Sequence, residues 1–192
     1  MRVFLAVAGD PVWIESARRL SRDLQVRLPK ASWTRPEGWH LTVRFLGEIS
    51  EGAASRFADQ LALAASGLGA GELRAAGPAI FPSPSRPRTI GVAFDLEASE
   101  GLLGAVARAS ETAAREIGCD PVTRPFRPHV TFARLRNPWA RTAVDEAASV
   151  IRAWAFPPWR VASVVLYRSR LDPAGAVHEP LREWRAAAEI GA

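Results

Sequence analysis

The chain has 192 residues, 48% of them hydrophobic and 23% charged, enough to bury a core in one domain-sized unit and unlike a disordered segment. No apolar run approaches the roughly 18 residues a membrane-spanning helix needs, and one cysteine with three histidines excludes an internal disulfide and zinc-finger spacing. The formal charge is +5 and every lysine or arginine except Lys30 is an arginine; this permits a polyanionic partner, since guanidinium forks match phosphate oxygens, although arginine-rich codon usage would produce the same excess.

Residues 2–7 read as a buried first strand, because no extended basic segment precedes them and Gly9-Asp10-Pro11 breaks the apolar run. Asp10 caps a helix with Pro11 in its first turn, running through Ile14, Ala17, Leu20 and Leu24 to about Val26. Residues 39–45 alternate as a strand, with Leu41, Val43 and Phe45 on one face and His40, Thr42 and Arg44 on the other. Ser50 caps a second helix that ends at Gly67. Residues 71–79 form a strand, 81–88 a proline-rich loop, and 89–96 another strand. Ser99 caps a third helix, stopped by Gly118.

The prolines of residues 124–128 feed a strand that begins near His129 and shows His129 and Thr131 on one face. A fourth helix spans 140–151 and a strand spans 159–167. A turn at Asp172-Pro173-Ala174-Gly175 leads to a last strand over 177–184. Each histidine strand follows a helix, and the two stand nearly half the chain apart. That spacing predicts a duplicated lobe, each copy giving one strand to a shared cleft.

His40-Leu41-Thr42-Val43 and His129-Val130-Thr131-Phe132 share the form His-apolar-Thr-apolar. On a strand this aims an imidazole and a hydroxyl the same way. The hydroxyl donates to a phosphate oxygen, and the imidazole exchanges a proton near neutral pH. With seven threonines in the chain, two of three histidines would gain this partner by chance in roughly one sequence in 200. Facing each other, the two units supply one acid and one base, which an in-line displacement at a cyclic phosphate needs. The spacing does not say which histidine is which.

Trp39-His40-Leu41-Thr42-Val43-Arg44-Phe45-Leu46-Gly47-Glu48 and Arg124-Pro125-Phe126-Arg127-Pro128-His129-Val130-Thr131-Phe132 closely resemble the two signatures of the RNA 2′,3′-cyclic phosphodiesterase family, formerly called 2′-5′ RNA ligase, within the two-histidine phosphoesterases. The opening Arg-Val-Phe-Leu-Ala-Val and the segments at Leu166-Tyr167-Arg168-Ser169 and Pro180-Leu181 extend the likeness nearly end to end. The resemblance implies an α+β, bilobal, pseudo-symmetric fold: mainly antiparallel sheets and outer helices around a central cleft, residues 1–192 forming one domain of two interleaved lobes. It also implies hydrolysis of a 2′,3′-cyclic phosphodiester to a 2′-phosphomonoester without metal or cofactor. His40 would be the proton donor, His129 the proton acceptor, and Thr42 and Thr131 the phosphate holders. The expected partner is RNA or an oligonucleotide with a cyclic phosphate end, met by a monomer in the cytoplasm and not at a membrane. Ligation through a 2′-5′ linkage, opening of a small cyclic nucleotide, and a non-catalytic RNA-binding module are the alternatives on the same fold.

Arg134 is a further phosphate-binding candidate, but strict alternation puts it on the wrong face relative to His129, so a bulge is needed to bring it to the cleft. Arg44 keeps parity with His40 and can face the cleft or solvent. Phe126 reads as a core aromatic, with stacking on a base as the alternative, Trp39 as a cleft wall, and Cys119 as inert. Asp95 and Glu97 have no histidine neighbour that would make a metal site. His178 lacks a threonine partner and reads as non-catalytic.

Overall fold

The computed structural model describes residues 1–172 and 175–187. β1 (Arg2–Val7) is buried beyond Arg2. Asp10 accepts from the Trp13 amide at 2.7 Å and starts α1 (Pro11–Arg27). β2 (Ser32–Trp33), a 3-10 turn at Pro36–Gly38 and β3 (Leu41–Glu48) follow. Ser50 caps α2 (Glu51–Ser66) by accepting from the Ala53 amide. Then come β4 (Glu72–Leu73), β5 (Ala75–Phe81), β6 (Thr89–Phe94), α3 (Leu96–Glu116), β7 (His129–Arg134), α4 (Arg141–Ala153), β8 (Trp159–Arg160), β9 (Ser163–Asp172) and β10 (Gly175–Arg185).

Two details depart from the sequence reading. The strands expected over 71–79 and 159–167 each divide, because their first residues pair with one another: Glu72 lies opposite Arg160 and Leu73 opposite Trp159, apart from the main sheets. The cap of α3 is Asp95, not Ser99. The Asp95 carboxylate accepts from the Ala98 amide at 2.7 Å, and a carboxylate suits the positive end of the helix dipole. Ser99 lies buried inside the helix and donates to the Asp95 carbonyl. Pro173 and Ala174, in the expected turn, lie outside the described residues.

The strands form two four-stranded sheets, ordered β10-β9-β1-β3 and β2-β7-β6-β5, with every pairing antiparallel. α2 and α3 pack on each other and reach β10 and β3 of the first sheet. α1 joins α4 over the second sheet, where the Trp13 ring meets Phe94, Phe132 and Trp159. So α1 leaves a strand of the first sheet to cover the second, and α3 does the reverse. The two histidine strands come together at the junction, with Cα atoms of β3 and β7 within 8 Å. No helix among the described residues is long and apolar enough to cross a membrane.

Candidate active site

Two β-bulges decide which side chains reach the junction. In the pairing of β1 with β3, Phe4 lies opposite Phe45, Leu5 opposite Arg44, and Ala6 opposite Thr42, leaving Val43 and Leu46 as extra residues. Directly paired residues point to the same side. Thr42 and Phe45 therefore share the cleft face with Phe4, whereas Arg44 turns with Leu5 toward the helices. There Arg44 is buried, 3.1 Å from Glu111 of α3, and donates to the Asp120 carbonyl at 2.6 Å. Its expected parity with His40 is broken by the extra Val43, and Arg44 is structural. Gly47, at φ +75°, takes the left-handed conformation that the second bulge needs.

The bulge in β7 works in the opposite sense. Gly91 of β6 pairs with Thr131, Ile90 with Ala133 and Thr89 with Arg134, so Phe132 is the extra residue. Arg134 thereby returns to the face of His129 and Thr131. A glycine is required opposite, because a Cβ at position 91 would lie 1.9 Å from the Val130 carbonyl oxygen.

The histidines are held in matching ways. His40 Nδ1 lies 2.7 Å from the Gly38 carbonyl oxygen, and His129 Nδ1 lies 2.7 Å from that of Arg127. A carbonyl only accepts, so Nδ1 carries the proton and each neutral ring keeps the Nε2 lone pair. Each ring rests against a phenylalanine at 4.7 Å between centroids: Phe4 for His40, Phe81 for His129. Both histidines and both motif threonines are half-buried, and the Thr42 and Thr131 hydroxyls make no hydrogen bond among the described residues.

The electrostatics bind the group together. Burial pushes His40 down to about 4; the Gly38 carbonyl opposes this, and the charges of His178, Arg134 and His129 add to it. Burial also lowers His129, opposed by the Arg127 carbonyl and reinforced by Arg134. The Arg134 guanidinium depresses all three histidines, so it lies within electrostatic reach of each.

His178, read from the sequence as non-catalytic, lies beside His40. Its ring meets His40 edge-on at 5.1 Å and Phe4 at 4.9 Å. The available signal was pairing: the β9–β10 hairpin sets His178 opposite Ser169, and Ser169 lies opposite Arg2. Trp39 is buried below the cleft rather than walling it, and its Nε1 donates to Thr34 Oγ1 at 2.8 Å. Phe126 packs against the core, Cys119 is half-buried beside the Leu46 carbonyl, and Asp95 is spent on its cap.

The family model described as "LigT like Phosphoesterase" matches residues 12–91 and 96–178. An RNA 2′,3′-cyclic phosphodiesterase of Aeropyrum pernix is 31% identical over 151 residues, 79% of this chain and 84% of its own length. The Thermus thermophilus protein of the same name is 30% identical across all of this chain and 93% of its own. Among solved structures, one from Thermus thermophilus superposes with a TM-score of 0.74 at 24% identity, covering 96% of this chain and 97% of that one. E. coli LigT complexed with 3′-AMP gives 0.66 at 20%, covering 96% and 97%. These two likenesses are of fold.

Proposed function

Because the chain belongs to the LigT-like phosphoesterase family, we propose that it hydrolyses RNA ends carrying a 2′,3′-cyclic phosphate, with His40 and His129 as acid and base. Water attacks phosphorus in line with the 3′ oxygen. His129 Nε2 takes the water proton, and the bond from phosphorus to the 3′ oxygen breaks. The imidazolium of His40 gives its proton to that oxygen, leaving a 2′-phosphomonoester and a 3′ hydroxyl. The Thr42 and Thr131 hydroxyls and the Arg134 guanidinium hold the non-bridging oxygens, where charge builds up. The bound phosphate anion offsets the burial and positive neighbours that keep His40 neutral in the free protein.

The duplicated arrangement carries this reading: two imidazoles, each with Nδ1 tied to a carbonyl two residues upstream and each sharing a strand face with a free threonine hydroxyl. Both halves of the site come from one chain, which supports a monomer as the active unit. The test is incubation with an RNA ending in a 2′,3′-cyclic phosphate, followed by phosphorus NMR. A 2′-phosphate is expected, formed equally well with chelator present, and about 10²- to 10⁴-fold more slowly by His40→Ala or His129→Ala. Full turnover by either variant defeats the proposal, and a 3′-phosphate would place the leaving group on the other oxygen.

A further inference from the structure

Across the first sheet, His178, Ser169 and Arg2 form one row of directly paired residues on β10, β9 and β1. The next row along the same strands holds Pro180, Tyr167 and Phe4, with Phe45 beyond. Phe4 touches His40, so both rows look into the cleft. The polar row begins at His178, 5.1 Å from the His40 ring. It ends two strands away, about 10 Å across the sheet at the usual interstrand spacing.

The cation of this row, Arg2, has no counter-charge among the described residues. Arg2 makes no ion pair or hydrogen bond through its side chain among the described residues. Glu48, which pairs with it across β3, is instead engaged by the Met1 amino group at 3.3 Å. His178 Nδ1 is buried with no partner. Arg134 approaches from the other sheet, also unpaired; burial lowers the pKa of His178, and the charges of Arg134 and Arg2 add to that. On the neighbouring strand, by contrast, Arg168 and Arg170 share the Glu179 carboxylate. Like charges gathered without an anion disfavour one another, and an anionic ligand relieves that repulsion.

We propose that Arg2, Ser169 and His178 form a second phosphate subsite. It takes the 5′-phosphate group of the terminal nucleotide, so that the enzyme prefers oligonucleotide ends over free cyclic nucleosides. The inference rests on the hydrolase reading above and extends it along the substrate. With the cyclic phosphate between His40 and His129, the terminal nucleoside lies against Phe45 and Tyr167, the exposed and half-exposed rings that flank the buried Phe4. Its 5′ oxygen then points to the adjacent polar row. The Ser169 hydroxyl and His178 give directed hydrogen bonds there, and the Arg2 guanidinium gives a forked one.

The test compares three substrates: adenosine 2′,3′-cyclic phosphate, the same compound with a 5′-phosphate, and a dinucleotide ending in the same cyclic group. In the wild type the added phosphate raises kcat/KM at least about tenfold, and the 5′-phosphate alone captures most of the dinucleotide's gain. Arg2→Ala and His178→Gln each shrink that ratio several-fold, and Arg2→Ala lowers the salt slope of the dinucleotide reaction by about one. Equal kcat/KM for all three substrates, or variants that slow all three by one common factor, overturns the subsite. Calorimetric binding of adenosine 2′-monophosphate and adenosine 2′,5′-bisphosphate decides the matter without turnover. Equal affinities reject the subsite even if catalysis fails, whereas tighter bisphosphate binding without hydrolysis rejects the hydrolase reading and keeps the subsite.

Discussion

Trp39 and Phe132, one just before His40 and the other just after Thr131, pack ring to ring at 4.8 Å between centroids. Thr34 joins them: it accepts from Trp39 Nε1 at 2.8 Å and shares its own hydroxyl proton between the carbonyls of Thr131 (2.6 Å) and Phe132 (2.9 Å). The two histidine motifs thus have a common foundation under the cleft.

Replacing Thr34 with valine keeps the shape but leaves the Trp39 indole N–H and the Thr131 carbonyl without this partner. The expected cost is about 1–3 kcal/mol in urea unfolding, with kcat down roughly tenfold as the two halves of the site lose register. An unchanged kcat in a destabilised variant would show that Thr34 only supports the fold.

Gly91→Ala is expected to unmake the bulge that turns Arg134 into the cleft, because the new methyl would collide with the Val130 carbonyl. Arg134→Ala separates function from folding: its melting temperature stays near wild type, since the side chain is exposed and unpaired, while kcat/KM falls on the order of 10²-fold. If Gly91→Ala folds normally and turns over normally, the bulge is not what places Arg134.

The pH dependence follows from the direction of the histidine shifts. The proposed mechanism needs one imidazolium and one neutral imidazole, and in the free protein both rings are held below their usual value. The singly protonated pair is therefore most populated on the acid side, and kcat/KM should peak below about pH 6.5 and fall as pH rises. A bound phosphate anion favours the imidazolium, so kcat should peak at higher pH than kcat/KM. Arg134→Ala removes a cation that depresses both rings and should move the kcat/KM optimum upward. An optimum that stays fixed would mean the guanidinium is too far away to act.

His40 also ties stability to pH. Its folded-state pKa, about 4, lies below the unfolded value near 6.5. The unfolded chain consequently binds the proton first. The contribution of the neutral ring is complete above about pH 6.5 and is lost as pH falls toward 4, by roughly 3 kcal/mol at most. His40→Asn should lose less stability than wild type over that interval in paired urea titrations. Parallel curves for the two proteins would contradict the assignment.

Much local chemistry was readable where a residue's neighbours in the chain decide its behaviour, although Asp95 and not Ser99 proved to cap α3. Asp10 and Ser50 cap helices at the expected positions because a cap bonds an amide three residues away. The period of two put each motif histidine and threonine on one face, the spacing of the motifs predicted two lobes, and the family resemblance implied the antiparallel sheets. What the chain alone left open depends on register between distant strands, where one extra residue reverses every side chain that follows. The extra Val43 removed Arg44 from the cleft, and the extra Phe132, allowed by Gly91 on a different strand, brought Arg134 in. His178 has no motif to announce it, and only the pairing of β10 with β9 and of β9 with β1 sets its ring beside His40 and in line with Arg2.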